Sequence, residues 1–391
     1  MILNNISLIN FKNLRDLRIE LSSGINCFVG DNGAGKTNIL DAVHYLSMAK
    51  SMHTLTDLQS VSHGEENFLV EGAFGRDDGR QERVVCAYAR RSGKTLKRNG
   101  KEYDKLSDHI GHFPIVVVSP ADAALISDSA DERRRYLNRF ISQIDRQYLN
   151  ALIRYNTALG ERNKLLKTSP SEEMLLIYDS MLATAAEVIY KRRSEIIEQL
   201  RPLVEEYYAQ LSEERESVGI EYRSELSTAP LMELLLAARQ RDFVNEHTTT
   251  GVHRDDMTLS IGEYPLRKYG SQGQQKSFLI ALKLAEYRLL AEAGIDGVDF
   301  NIHNNVIRLA DSKASDTDFS GYSLGTIEAG KTASREFAFK LKPNGNGSQT
   351  MWNHNNLRVI VFISTKEGGN WYVNNVVKCP KDGSVDFEYA D

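Results

Sequence analysis

The sequence predicts an α/β fold: a strand-rich domain split by a long helical insertion and followed by a small all-β unit. Three observations predict it. Residues 1 to about 120 alternate apolar and polar residues with period two around one helix-like segment. Residues 121–245 switch to three- and four-residue spacing, and from residue 294 onward the chain turns rich in Asn-Gly turns and holds both tryptophans, Trp352 and Trp371. A chain of 391 residues is long enough for two or three domains with their own cores.

The elements follow in order. ILNNISLINF and LRDLRIEL read as strands; INCFVG is a short apolar run ending in glycine, and the helix KTNILDAVHYLSMAK follows at once. NFLVEGAFG, RQERVVCAYAR and KTLKRNGKEY form a meander whose Asn99-Gly100 pair suits a hairpin turn, and HFPIVVVSP reads as a buried strand stopped by Pro120. In the helical stretch Leu175, Leu176, Tyr178, Met181, Leu182, Ala185, Val188 and Ile189 make one apolar stripe, which predicts a packed helical subdomain. Residues 246 to about 262 return to short strands, and GSQGQQKSFLIALKLAEYRLLAEA is a loop entering a long helix. In the tail, SREFAFKLKP, LRVIVFIS and WYVNNVVK read as strands. The resulting domains are 1–120, 121–245, 246–293 and 294–391.

Composition excludes several classes. The formal net charge of −5 argues against wholesale wrapping of nucleic acid while leaving room for a local basic patch. Cys27, Cys86 and Cys379 lie at wide spacings that suit a reducing compartment, without a zinc or disulfide framework. The N-terminus has no apolar signal core, and no apolar run reaches the ~20 residues that span a bilayer. A cytoplasmic location without membrane contact is expected.

GDNGAGKT, residues 30–37, carries the most specific chemistry. Gly30, Asp31, Asn32, Gly33, Ala34, Gly35, Lys36 and Thr37 satisfy the phosphate-loop pattern Gly-x4-Gly-Lys-Thr between a strand and a helix. Its glycines let successive N–H groups face one anion, and the helix N-terminus adds a partial positive charge. Lys36 would bridge the β- and γ-phosphates of ATP, and Thr37 would place its hydroxyl on Mg²⁺. A second anion reader is the helix-entering turn of Ser271, Gln272, Gly273 and Gln274. Both reach one nucleotide most economically in a head-to-tail homodimer, the turn supplied in trans. For nucleic acid the candidates are Arg90, Arg91, Lys97 and Arg98 on a hairpin, with Lys94 and Lys101 beside them, and Lys191, Arg192 and Arg193 on a helix. No aromatic-rich single-strand platform is evident.

Five ordered blocks make residues 1 to about 293 resemble the RecF family of bacterial recombination and replication-repair ATPases, related to the ABC and SMC/Rad50 ATPases. They are LINFKNLRDLRIEL, GDNGAGKTNILDAVHYLS, VVVSPADAALISDSADERRRYLNRFISQIDRQYL, TGVHRDD and GSQGQQKSFLIALKLAEYRLL. The resemblance implies an ABC/SMC-type P-loop ATPase head with a helical subdomain, dimerising on ATP. It also implies DNA binding where single-stranded gaps meet duplex, with RecO and RecR type partners. Lys36 and Thr37 carry over as nucleotide and Mg²⁺ residues, and Ser271, Gly273 and Gln274 as the trans signature. Arg133, Arg134 and Arg135 match an arginine-rich helix start, with structural and ligand-binding roles both open. His253, Arg254 and Asp255 match a block expected to pack.

The chain departs from the family after the signature helix. A strand of apolar residues ending in two acids should follow, to hold Mg²⁺ and polarise water. The nearest segment, NNVIRLADS, offers Asp311 with Arg308 interrupting the run and no second acid. The tail from about 294 instead resembles the C-terminal β-rich part of an outer-membrane lipoprotein family, which implies a foreign, chimeric segment. The expectation is a RecF-like ATP-binding protein with slow hydrolysis. Two alternatives are an interaction module in which the tail acts and the ATPase part is inert, and a transporter nucleotide-binding subunit.

Overall fold

The computed structural model describes residues 1–293 except 55, 77, 169–170 and 213–215, together with the backbone of 358–367 and 370–380. The chain divides into two units, Met1–Asn26 with Gly30–Ile302 and Cys27–Val29 with His303–Asp391.

Period-two alternation builds the first sheet. In β1 (Ile2–Phe11), Ile6, Leu8 and Phe11 are buried while Ile9 faces out. β2 (Leu14–Glu20), β3 (Asn67–Gly75), β4 (Gln81–Ala89), β5 (Gly93–Arg98) and β6 (Lys101–Glu102) complete an antiparallel sheet of order β2-β1-β3-β4-β5-β6. The expected turn between β5 and β6 is present, with φ of 53° at Asn99 and 81° at Gly100, as a two-residue hairpin turn with both central φ positive requires. The helix α1 (Lys36–Met48) lies on one face and buries Ala42, Tyr45 and Leu46. Phe11, Tyr45 and Phe68 meet edge to face, their ring centroids 5.3–5.8 Å apart. Gly72 of β3 permits this approach, because a Cβ there would sit 2.5 Å from Leu46 Cδ1.

Two expected strands are not found among the described residues. Residues 25–29 and 114–118 enter no ladder among the described residues, and Val29 and Val118 are each 63% exposed. A strand satisfies its N–H and C=O groups only against a neighbour, so an apolar run alone does not make one. Ile115 illustrates the substitute: its amide donates to Gln143 Oε1 at 2.8 Å, and its carbonyl accepts from Gln143 Nε2 at 3.3 Å.

The second core is helical. It comprises α2 (Ala124–Ser127), α3 (Ala130–Ile144), α4 (Arg146–Leu166), α5 (Glu172–Ser212), α6 (Leu231–Asn245), α7 (Leu266–Tyr269) and α8 (Gln272–Glu292). With them lies a sheet of β7 (Val218–Arg223), β8 (Asp256–Ile261) and β9 (Tyr264–Pro265). The apolar stripe of α5 is narrower than its composition suggests. Leu175, Leu182, Ala185 and Ile189 are buried, but Leu176, Met181 and Val188 face solvent. The helices α4, α5 and α6 are bolted by Arg162, which is fully buried and donates to Asp179 (2.6 Å), Asp242 (2.7 Å) and Thr248 Oγ1 (2.9 Å).

In the second unit β10 (Arg358–Glu367) and β11 (Asn370–Pro380) pair as an antiparallel hairpin, matching the expected strands LRVIVFIS and WYVNNVVK. The expected strand SREFAFKLKP and Asp311 lie outside the described residues. Among the described residues no helix is long and apolar enough to cross a membrane.

Candidate nucleotide site

The phosphate loop is held from outside as well as by its own glycines. Gly33 and Gly35 have φ of 88° and 98°, backbone that other residues adopt only with strain. Gly35 is also packed shut: a Cβ would lie 2.7 Å from Leu14 Cδ2 and 2.8 Å from Asn13 Oδ1. Asn13, in the turn between β1 and β2, donates its amide to the Gly33 carbonyl at 2.8 Å and accepts from Asn38 Nδ2 at 2.7 Å. The same turn is tied to α1 by Lys12, whose ammonium sits 2.5 Å from the buried carboxylate of Asp41. The role of Asn13 is not legible in the sequence: it lies within the block LINFKNLRDLRIEL without a motif of its own.

Lys36 curls back over the loop, donating to the carbonyls of Gly30 (2.6 Å) and Asp31 (2.7 Å). These are neutral partners that an ammonium can exchange for phosphate oxygens. Gly30, Asp31, Asn32, Gly33, Ala34 and Thr37 are exposed, so the loop and the first helical turn are open to a ligand. The residues fit a triphosphate: a glycine cradle that a Cβ would fill, a helix N-terminus and one cation. For Mg²⁺ they supply the Thr37 hydroxyl. Among the described residues no group of three His, Cys, Asp or Glu side chains could hold a metal. The remaining ligands would be phosphate oxygens and water.

Ser271, Gln272, Gly273 and Gln274 open α8 through a reciprocal cap. Ser271 Oγ accepts from the Gln274 N–H at 3.3 Å, and Gln274 Oε1 accepts from the Ser271 N–H at 2.6 Å. Ser271, Gln272 and Gly273 are exposed. Arg267, Lys268 and Lys276, also exposed, flank the turn and form no ion pair among the described residues. The turn therefore offers a helix N-terminus, a hydroxyl and a basic rim.

The candidate nucleic-acid cations fare differently. Arg193 is corrected outright: its side chain is 2% exposed and pairs with Asp255 at 2.8 Å, so it cannot meet a phosphate backbone. Arg192 is partly buried between Asp145 (2.9 Å) and Glu195 (3.0 Å). Arg98 is held by Glu82, Lys97 faces Glu102 at 3.8 Å and Arg90 faces Glu66 at 3.6 Å. Lys94 is likewise enclosed, donating to Asp57 and to the Ala49 carbonyl. Neutralised cations release few counterions, which weakens the hairpin as an electrostatic footprint. Arg91 and Lys191 are the exposed candidates without an ion pair among the described residues.

The family blocks around Arg133 and His253 are engaged in contacts within the chain. Arg133 pairs with Asp256 at 2.7 Å, Arg134 donates to the Asp255 carbonyl at 2.5 Å, and Arg135 pairs with Glu132 on the surface. His253 contacts the Tyr155 hydroxyl at 2.8 Å and the Thr248 carbonyl at 3.0 Å, and burial pushes its pKa down to about 4. It is a neutral packing residue.

A family model described as an AAA domain matches residues 5–229. The chain is 46% identical over 296 residues to the DNA replication and repair protein RecF of Phocaeicola vulgatus, covering 75% of this chain and 80% of that protein. The chain belongs to the RecF family. It is also 41% identical over 295 residues to RecF of Flavobacterium johnsoniae, covering 74% of this chain and 82% of that one. Among solved structures it is similar to the recombination mediator protein RecF-ATP in the RecFOR pathway, with a TM-score of 0.72 and 31% identity over 76% of this chain and 83% of that one. The RecF-ATPrS structure of the same pathway matches with a TM-score of 0.70 at 31% identity, over 74% of this chain and 82% of that one. This RecF-family chain therefore has the P-loop ATPase head fold, with the Gly30–Thr37 loop leading into α1 and the Ser271–Gln274 turn opening α8.

Proposed function

We propose that this chain is a RecF-type protein of DNA replication and recombinational repair that binds ATP and Mg²⁺ through Gly30–Thr37. The observation that carries this reading is the braced phosphate loop, whose lysine is held only by exchangeable carbonyls. ATP then joins two copies, the Ser271–Gln274 turn of one reading the γ-phosphate held by the other. The open, basic-rimmed cap of α8 supports that arrangement. The dimer binds DNA at gaps, where single strand meets duplex, and works with RecO and RecR type partners. Cytoplasmic residence follows from that role.

Hydrolysis is slow in this proposal. The acidic pair that RecF-like chains place after the signature helix has no match in the sequence, and residues 25–29 and 114–118 have no strand neighbour among the described residues. The test uses the full chain: equilibrium binding of Mg²⁺-ATP, sedimentation with and without ATP, and turnover with and without gapped DNA. Saturable binding with ATP-dependent dimers and negligible turnover is the expected result. Turnover equal to that of an intact RecF would overturn the hydrolysis reading. Failure of ATP to bind would favour the alternative, in which the β-tail is the working part.

A further inference from the structure

Gln274 uses both ends of its side chain. The oxygen closes the cap on Ser271, and the nitrogen donates to Glu216 Oε1 at 2.6 Å. The other oxygen of Glu216 accepts from the Tyr208 hydroxyl at 3.1 Å. Tyr208 is 1% exposed near the end of α5, and its ring leans on Phe278 of α8 with centroids 6.5 Å apart. Burial and the carboxylate push the Tyr208 hydroxyl up to about 12, so it remains a donor at neutral pH. Glu216 is exposed in the link between α5 and β7, and among the described residues it forms no ion pair. A surface carboxylate in a basic neighbourhood is here bonded to a neutral amide and a buried phenol instead.

That arrangement fixes a side chain which would otherwise choose among many rotamers. With the Gln274 amide anchored, its oxygen is aimed at the Ser271 N–H, and the cap holds Ser271 Oγ and the first N–H groups of α8 in one orientation. We propose that Glu216, held by Tyr208, is a positioning residue that pre-sets the Ser271–Gln274 turn for the phosphate of a nucleotide carried by a second copy. The proposal rests on the reading of that turn as a trans phosphate reader. It opposes the other role a carboxylate could play there, that of a negative charge repelling the nucleotide until it is displaced.

Glu216→Ala and Glu216→Gln in the full chain separate the two. The glutamine keeps an oxygen for the Gln274 amide, loses the charge, and meets the Tyr208 hydroxyl with an NH2 that donates to the phenol oxygen instead of accepting from it. Under positioning, E216A weakens ATP-dependent dimerisation by about tenfold, the scale of one well-made hydrogen bond. E216Q stays within about twofold of the parent on the same scale. Binding of a fluorescent ATP analogue to the monomer's own phosphate loop stays unchanged in both. Hydrogen exchange of the Ser271–Ser277 peptide speeds up in E216A and is restored in E216Q. If E216A dimerises as well as the parent or better, or E216Q falls as far as E216A, the positioning role is wrong. A parent chain that does not dimerise on ATP sinks the trans reading instead. The exchange measurement then still decides whether Glu216 holds the turn, and unchanged exchange in E216A overturns it.

Discussion

Replacing Arg193 with alanine distinguishes a buried clamp from a DNA contact. Its guanidinium donates to Asp255 Oδ2 (2.8 Å), the Val252 carbonyl (2.8 Å), Asn138 Oδ1 (2.9 Å) and the Tyr148 hydroxyl (3.1 Å). The side chains of Arg193 and Asp255 are 2% and 1% exposed, so truncation leaves a carboxylate stranded in the core. Breaking such a pair costs about 3–5 kcal/mol, a large share of the ~5–15 kcal/mol that holds a domain together. Urea unfolding of R193A should show that loss at pH 7. The pH dependence carries a sign. Burial raises the Asp255 pKa even with Arg193 opposing it, and removing the arginine raises it further. A raised carboxylate destabilises the fold above its folded pKa and ceases to do so below the ordinary value of about 3.9. The gap between R193A and parent should therefore narrow as pH falls from 7 toward 4, and Asp255→Asn in the R193A background should recover part of it. A surface phosphate contact predicts the reverse pattern: stability within about 0.5 kcal/mol of the parent and a salt slope of DNA binding reduced by about one. Observing that pattern would refute the clamp.

Lys36→Ala should remove most Mg²⁺-ATP affinity in a filter or fluorescence assay while leaving the urea midpoint unchanged, because its ammonium bonds only loop carbonyls. Gly35→Ala should do worse: left-handed alanine costs roughly 1–2 kcal/mol, and the new methyl pushes on Asn13 and Leu14, so both nucleotide affinity and thermal stability should fall. Burial holds His44, His109 and His253 neutral with pKa values of about 4. Depressed histidines lend stability above their unfolded value of about 6.5 that is lost as pH drops toward 4, on the order of 3 kcal/mol each, which unfolding at stepped pH would measure. Charge reversal at Arg91 and Lys191 should lower affinity for gapped DNA and flatten its salt dependence, whereas removing both members of the Arg90–Glu66 pair (R90Q with E66Q) should change little, since the pair carries no net charge.

What the sequence disclosed depended on how local the signal was. The meander and its Asn99-Gly100 turn were legible because alternation and left-handed turn residues are properties of neighbouring positions. The phosphate loop and the Ser271 cap were legible for the same reason. Partnership across the chain was not. Arg193 reads as one of three clustered cations in YKRRS, and only the fold brings Asp255 to it from 62 residues away. Glu216 and Asn13 carry no motif of their own, and their significance lies in which groups they reach. The INCFV and PIVVV runs misled in the opposite direction. Their composition suits a strand, but whether a strand forms is decided by what stands beside it.

Those two runs also bear on the proposal that binding and hydrolysis separate in this chain. In a P-loop fold the strand ahead of the loop sets where the phosphates sit, and an acidic strand beside it sets where water attacks. Here the loop is registered from the other side. Asn13 grips the Gly33 carbonyl, Lys12 grips Asp41 on α1, and α1 itself is keyed into the antiparallel sheet through Phe11, Tyr45 and Phe68. That anchoring does not depend on residues 25–29 being in a ladder. The phosphate cradle can therefore keep its shape whether or not groups that polarise water stand beside it. Under the proposal, nucleotide-dependent assembly is the activity such a site would retain, because it needs only a γ-phosphate held on one surface and a pre-set cap on the other.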